Sequence, residues 1–455
     1  MDTHTGLDAT FLKVEDADPH ANFAVGALAV MEGPLPGSDS LSDVLTERLS
    51  TDRRFSQVVR RYPLDIAAPH LVAVGEDISH HVHHIAVPRP GDDQALFGLV
   101  SDVMSWRLHH DHPLWECWVV EGLSDDRWAI LLKTHSSVVD GTEVMQTLTR
   151  LSDNGGADGP TQSSTELPTL TLNPLKWVGG MWRSSAALTV GVVRTMADTA
   201  GITRGRECPA VSKCSGQLTG LRRYASVELS LEDVTKVCDA FGVTINDIAL
   251  AAMGRSYRDF LIGHGRRPHC DSLRALVSNS TGSIAAIPLP VENPDPVQQL
   301  RTAHGRLTVT DERGVSATNH LPFALKAQPI RALPGLPQRG VVALTTAESR
   351  PRGRLRFMGR DVVRLLPIPA VGLGLRTGLA MVSYAETLTI GVISDHDALP
   401  DIGELANSVE QTVARLLAVS TSARRTTGKR MLYLIPSEAA SSSPQDRRHN
   451  LATTF

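Results

Sequence analysis

His135-Ser136-Ser137-Val138-Val139-Asp140-Gly141 decides how this chain is read. The stretch follows an apolar run at 128–134 that predicts a strand, and it precedes a helical spacing at 142–151. A strand that ends in a polar turn before a helix is where α/β proteins often mount chemistry. A neutral imidazole can take a proton from a hydroxyl near pH 7. The aspartate can brace the turn, and the glycine admits a bend that a Cβ would obstruct. The residues fall one short of His-His-x-x-x-Asp-Gly, because Ser136 stands at the second histidine position. Neighbours at a strand end face opposite sides, so His135 is expected to point away from the surface that position 136 presents. A serine hydroxyl is no base at neutral pH without a partner of its own. Taken alone, His135 reads as a packed or capping histidine.

Outward from the motif the first half predicts a mixed α/β domain. Residues 23–31 and 81–87 read as strands, 41–49 and 94–107 as helices, and the 129–132 segment is apolar on both faces, as in a central strand. Between 152 and 174 the composition shifts to Asp153-Asn154-Gly155-Gly156 and Pro160-Thr161-Gln162-Ser163-Ser164, the mark of a linker. Residues 177–196 read as a crossover helix packed on the fold, with a surface-seeking helix as the alternative, since Arg183 and Arg194 interrupt any span. The second domain is placed from Leu221. Ser230 with Asp233 predicts a helix start that Gly242 ends, and Thr244 with Asp247 starts the next. Residues 379–384 and 388–394 alternate as a hairpin, and Asp401 with Glu404 opens a last helix. The expected division is therefore 1–151, a linker with crossover helix at 152–220, a C-terminal domain at 221–420, and a basic, Ser-rich flexible tail at 421–455.

Composition narrows the function classes. With 455 residues, 42% of them hydrophobic, the chain can bury full cores, and a net charge of −4 gives no global pull toward nucleic acid. The five scattered cysteines, Cys117, Cys208, Cys214, Cys238 and Cys270, suit reduced thiols in the cytoplasm, and the N-terminus shows no signal-peptide pattern. His80-His81-x-His83-His84 invites a metal reading with Glu76 or Asp77, but strand alternation splits the four imidazoles between two faces, so no metal is assigned. His109-His110-Asp111-His112 reads as a polar loop, a tunnel mouth or the source of a replacement base. Arg350, Arg352, Arg354, Arg356 and Arg360 read equally as a solvated strand edge or as partners for a phosphate. No Gly-x-Ser-x-Gly elbow is present, and neither Ser136 nor Ser137 sits in a recognisable hydrolase motif.

Seven segments in order carry a resemblance. They are Leu7-Asp8-Ala9-Thr10-Phe11-Leu12, Val25-Gly26-Ala27-Leu28-Ala29-Val30, Pro88-Arg89-Pro90-Gly91, Pro113-Leu114-Trp115-Glu116, Trp118-Val119-Val120-Glu121-Gly122-Leu123, Thr244-Ile245-Asn246-Asp247 and Leu365-Leu366-Pro367-Ile368-Pro369. From Leu7 to about residue 420 the chain resembles the bacterial wax ester synthase/diacylglycerol acyltransferase family, and most of all its actinobacterial triacylglycerol synthases. The resemblance implies an α/β, two-domain, chloramphenicol-acetyltransferase-like fold with mixed sheets and flanking helices. It implies acyl-CoA as co-substrate with no bound cofactor, and long-chain acyl-CoA with diacylglycerol or a fatty alcohol as partners. A cytoplasmic location follows, with peripheral contact at the inner membrane or lipid inclusions. In the family the second histidine is the base, so by position Ser136 stands for it, beside His135 and with Asp140 as the structural acid. Gly141, Pro113, Leu114 and Trp115 then support the motif, and Asn246 and Asp247 sit at a helix start near the domain interface. Two departures stand out. Thr346-Ala347-Glu348-Ser349-Arg350-Pro351 replaces the family's Thr-Asn-Val-Pro-Gly-Pro, and the strand expected after Leu273-Arg274-Ala275-Leu276-Val277 looks shortened or deleted. The expectation is an O-acyltransferase with weakened or absent catalysis. The alternatives are a non-catalytic acyl-CoA- or lipid-binding paralogue and, third, an acyltransferase for another acceptor with a different base.

Overall fold

The structure is a computed structural model that describes residues 11–12, 14–61, 70–73, 78–139, 141–154, 218–270, 272–278, 284–312, 341–345, 350–351, 353–371, 376–398 and 401–432. Its strands are β1 (Ala24–Glu32), β2 (Gln57–Arg60), β3 (His70–Ala73), β4 (Val82–Ala86), β5 (Trp115–Leu123), β6 (Arg127–His135), β7 (Arg222–Ser230), β8 (Arg274–Ser278), β9 (Ile284–Pro288), β10 (Val341–Thr345), β11 (Arg356–Phe357), β12 (Arg360–Ile368), β13 (Thr377–Tyr384) and β14 (Thr387–Asp395). Its α-helices are α1 (Ser38–Ser50), α2 (Asp93–Ser105), α3 (Gly141–Arg150), α4 (Leu231–Phe241), α5 (Ile245–Gly263), α6 (Pro296–Glu312) and α7 (Ile402–Leu432). Two mixed sheets hold all the strands but β2 and β3, in orders β11-β12-β1-β6-β5-β4 and β7-β14-β13-β10-β8-β9, while β2 and β3 pair antiparallel by themselves.

The first sheet is built around β1 and β6, both buried along nearly their whole length as their two-sided apolar composition dictates. Leu41 and Leu45 of α1, with Val144 and Leu148 of α3, pack on one face beside Trp115 and Trp128. Leu96, Val100 and Val103 of α2 pack on the other with Leu28, Leu131, Tyr224 and Ile393, so the second sheet reaches into this layer. In the second half Ile248, Leu250 and Ala252 of α5 meet Leu405, Val409 and Leu416 of α7 over Leu379, Ile390 and Val392. The caps stand where the turn chemistry puts them. The Ser230 hydroxyl accepts from Asp233 N, Gly242 takes φ 66°, and Thr244 and Asp247 form a reciprocal capping box. Among the described residues no single helix is long and apolar enough to cross a bilayer.

Three expectations change. Residues 356–368 fall inside the span assigned to the second domain, yet they supply two strands of the first sheet, where β12 pairs antiparallel with β1 from Gly26↔Ile368 to Ala29↔Leu365. The strand expected to be shortened or deleted is not deleted: a five-residue strand, β9, follows β8 and pairs antiparallel with it. Its Pro288 is tolerated because β9 is the sheet's edge. The tail expected to begin at 421 is helical to Leu432, since α7 meets no proline and each added residue extends an existing helix at little cost. The crossover helix expected at 177–196 lies outside the described residues.

Two features lock the halves together. The outer edge of β7 points its Arg222 and Tyr224 amides at the Ser105 and Ser101 hydroxyls of α2, over 2.8 and 2.9 Å. Each serine also donates to a carbonyl one turn back in its own helix, so both hydroxyls donate and accept at once. The Leu365-Leu366-Pro367-Ile368-Pro369 segment crosses β13 and β14 where Gly378 and Gly391 leave room, and the Tyr224 hydroxyl donates to Pro367 O over 3.1 Å. A Cβ at Gly391 would stand 1.8 Å from Pro367 O. Gly391→Ala should therefore destabilise the chain beyond the ~1–3 kcal/mol of ordinary overpacking. Gly98→Ala, in open space on α2, should be neutral or stabilising by up to about 1 kcal/mol. Urea unfolding of the two variants beside the native chain checks the contrast.

Candidate active site

His135 is the last residue of β6, and the turn after it is held by Val138 and Val139 amides donating to His135 O before α3 begins at Gly141. The strand is anchored on both sides at this point. His135 N donates to Leu114 O over 3.0 Å, and Ser136 N donates to Phe23 O over 3.0 Å. Pro113-Leu114-Trp115 is thus the rail beside the motif. All three are buried, and the Trp115 indole donates to Phe55 O over 2.8 Å and stacks on His81 at 5.0 Å.

The His135 ring turns inward and is 1% exposed. Its Nε2 lies 3.1 Å from Glu15 Oε1, a charge contact whose angle falls short of an aligned hydrogen bond. Its Nδ1 lies 2.6 Å from Ser137 Oγ and accepts the Ser137 amide over 3.1 Å. Ser136 behaves differently. Its hydroxyl donates to Phe23 O over 2.6 Å and reaches neither imidazole nor carboxylate. Ser136 and Ser137 both remain half-buried.

Glu15, itself 1% exposed, is the hub. Oε1 also accepts the Phe23 amide over 2.6 Å, Oε2 lies 2.9 Å from His110 Nε2, and Arg107 donates to the Glu15 carbonyl over 2.7 Å with its guanidinium 3.6 Å from Oε2. Burial pushes this carboxyl up, but the His110 and His135 imidazoles and the Phe23 amide outweigh it and hold Glu15 well below the usual carboxylate range. His110, a candidate replacement base, is committed on both nitrogens, with Arg61 2.7 Å from Nδ1. Two residues before His135, Lys133 is 0% exposed and donates to Trp106 O over 2.8 Å and to Glu116 over 3.1 Å. Burial pushes its ammonium down, against the pull of Glu116.

Other expected residues lie apart from this cluster. Asp140 lies outside the described residues. Asp247 caps α5 and accepts from His304 Nδ1 at 2.9 Å, so its partners belong to the second half, and Asn246 beside it is half-buried. The histidines of 80–84 scatter: His81 goes to Trp115, His83 to Trp118 at 4.4 Å, and His84 to Ser42 at 2.8 Å. Arg356 pairs with Asp361 at the exposed rim. Among the described residues the donor set nearest to a metal site is Glu15, His110 and His135, with ligand atoms within 4.8 Å of one another. The Arg61 and Arg107 guanidinium groups beside it oppose a cation. Sequence reasoning missed Glu15 and Lys133. The available signal was a glutamate on the apolar face of a short helical run after Phe11 and Leu12.

Glu15 has a lowered folded-state pKa, so its contribution to stability is complete above its ordinary value of 4.5 and is lost as pH falls below it. Glu15→Gln should cost roughly 3–5 kcal/mol near neutral pH, because the Phe23 amide and His110 ring lose a charged acceptor and the Arg107 guanidinium loses its counter-charge. The gap between native and variant should narrow as pH drops toward about 3. Urea unfolding across that range checks it, and a gap that stays constant with pH would remove the ionised carboxylate from its role.

The catalytic-domain model of the wax ester synthase/diacylglycerol acyltransferase family matches residues 5–249, and the family's C-terminal-domain model matches residues 278–416. A probable diacylglycerol O-acyltransferase, tgs1, of Mycobacterium tuberculosis H37Rv is 40% identical, over 96% of this chain and 100% of the relative. Among solved structures, the wax ester synthase/diacylglycerol acyltransferase from Marinobacter aquaeolei VT8 is similar at a TM-score of 0.67 and 22% identity, covering 91% of this chain and 98% of that one. The first condensation domain of the CDA synthetase is similar at 0.59 and 14%, covering 91% and 95%. Those likenesses confirm the two-domain, chloramphenicol-acetyltransferase-like architecture, with its mixed sheets and flanking helices. With both family models matched in order and an imidazole at the end of the motif strand, this chain belongs to the wax ester synthase/diacylglycerol acyltransferase family of acyl-transferring enzymes.

Proposed function

We propose that this chain moves a long-chain acyl group from acyl-CoA to the hydroxyl of diacylglycerol, or of a fatty alcohol, and that it does so slowly. The observation that carries the reading is the 40% identity to the mycobacterial relative along 96% of the chain, motif region included. Transfer needs a proton removed from the acceptor hydroxyl as it attacks the thioester carbonyl. The position that supplies the base in the family is Ser136, whose hydroxyl is spent on Phe23 O. Holding acyl-CoA and alcohol in line still lowers the barrier, because positioning alone replaces a bimolecular encounter. Asp140 and Gly141 shape the turn in this reading. The acceptor is a lipid, so the protein works in the cytoplasm at the surface of the inner membrane or of lipid inclusions.

The test is an acyl-transfer assay on the purified chain with long-chain acyl-CoA and either diacylglycerol or hexadecanol. The native protein should give slow ester formation, and Ser136→His should raise the rate by about 10²–10⁴-fold, the usual contribution of a positioned base. Acyl-CoA binding without ester from either protein would replace this reading with that of a non-catalytic acyl-CoA-binding paralogue.

A further inference from the structure

The turn that lacks a base at position 136 offers one to the next residue. Ser137 Oγ lies 2.6 Å from His135 Nδ1, and the Ser137 amide donates to the same nitrogen over 3.1 Å. An amide N–H only donates, so Nδ1 of the neutral ring carries the lone pair and Nε2 carries the proton. That Nε2 faces the Glu15 carboxylate at 3.1 Å. Hydroxyl, imidazole and carboxylate therefore lie in series, the last step a 3.1 Å approach and not an aligned hydrogen bond, with His135 and Glu15 buried and Ser137 the member that stays accessible. We propose that Ser137 is a nucleophile, with His135 as its base and Glu15 orienting the ring, and that acyl transfer runs through an acyl-Ser137 ester. The proposal rests on the acyl-transfer reading above for its donor and goes beyond it in the route.

The roles of the two ring nitrogens are exchanged relative to a serine-hydrolase triad, where Nε2 serves the serine and Nδ1 faces the acid. The chemistry needs a lone pair toward the hydroxyl and a fixed negative charge behind the ring, and both are present. In the first half-reaction Ser137 Oγ attacks the thioester carbonyl and its proton passes to Nδ1. The C–S bond then breaks, and the leaving CoA sulfur takes that proton, giving acyl-Ser137 and free CoA thiol. In the second, the acceptor alcohol gives its proton to Nδ1 as its oxygen attacks the ester carbonyl. The C–Oγ bond breaks and Ser137 Oγ recovers the proton. Nothing is oxidised or reduced, and water in place of the alcohol yields the free acid. Protonation of Nδ1 also ends its bond to the Ser137 amide. The released N–H then stands beside the carbonyl oxygen where negative charge develops, as a nucleophile's own amide does in an oxyanion hole.

The experiment has two arms. In the first, the native chain and Ser137→Ala are treated with a long-chain fluorophosphonate, and separately with palmitoyl-CoA followed by acid quench, then digested and mapped by mass spectrometry. The adduct should map to Ser137 in the native chain and vanish from Ser137→Ala. Ser137→Cys should form instead a thioester that hydroxylamine cleaves. In the second arm, ester formation should fall on the order of 10²-fold in Ser137→Ala, with unchanged KM for acyl-CoA and an unchanged unfolding midpoint. An adduct on another residue, no adduct at all, or full transfer by Ser137→Ala overturns the inference. If Ser137→Ala makes ester at the native rate, the route fails and the transferase reading survives. If native Ser137 is acylated but releases only free acid, the nucleophile stands and the transferase reading fails.

Discussion

An ionised carboxylate in a dry interior must be satisfied from every side, and Glu15 imposes that demand on three segments at once. The entry to β1 supplies the Phe23 amide, the end of β6 supplies His135, and the loop after α2 supplies His110 and Arg107. None of these segments is adjacent in sequence to the others. Remove the charge and the loop has no reason to lie against the strand end, nor the His135 ring to present Nδ1 toward Ser137. The site is thus positioned by electrostatics in its buried layer and by backbone pairing, through Leu114 O and Phe23 O, along its rim.

The second constraint is steric. Two sheets cross where β12 lies against β13 and β14, and the backbones approach closely enough that Gly391 admits no side chain. Because β11 and β12 belong to the first sheet while β10 and β13, which flank them in the chain, belong to the second, neither sheet is assembled from one continuous stretch. Tyr224 ties the crossing from the β7 side, and α2 covers the edge that β7 would otherwise expose. β1, the strand beside the one that presents His135, is therefore flanked by β6 from the first half and by β12 from the second.

Local order was legible in the sequence. Continuous apolar runs marked β1 and β6, alternation marked β13 and β14, and the Ser230, Gly242 and Thr244–Asp247 signals marked the ends of α4 and α5, because such runs and caps are set by residues a few positions apart. Long-range partners were not legible. Glu15 meets His135 across 120 residues, and His304 meets Asp247 across 57, with no spacing rule to connect them. The departure of Ile368 and Pro369 from their own half was hidden for the same reason, as a strand's apolar pattern names a buried slot and not the sheet that owns it. Ser137 was passed over because the known nucleophile motifs are local signatures, whereas its neighbour ring is aimed by a distant acid. The β9 strand was judged by the family residues it lacks instead of by its Ile284-Ala285-Ala286-Ile287 run.

The placement of β12 carries a consequence for biosynthesis. On the ribosome β1 and β6 can pair early, but the other flank of β1 stays open until residue 368 has emerged, more than two hundred residues later. At ~5–20 residues per second of synthesis that interval is on the order of tens of seconds. For that time a nearly apolar nine-residue strand shows an unpaired backbone edge, the kind of template on which nascent chains join to one another. Crowded polysomes are where this protein is most exposed to misassembly, and chaperone shielding of the nascent first half is the natural remedy.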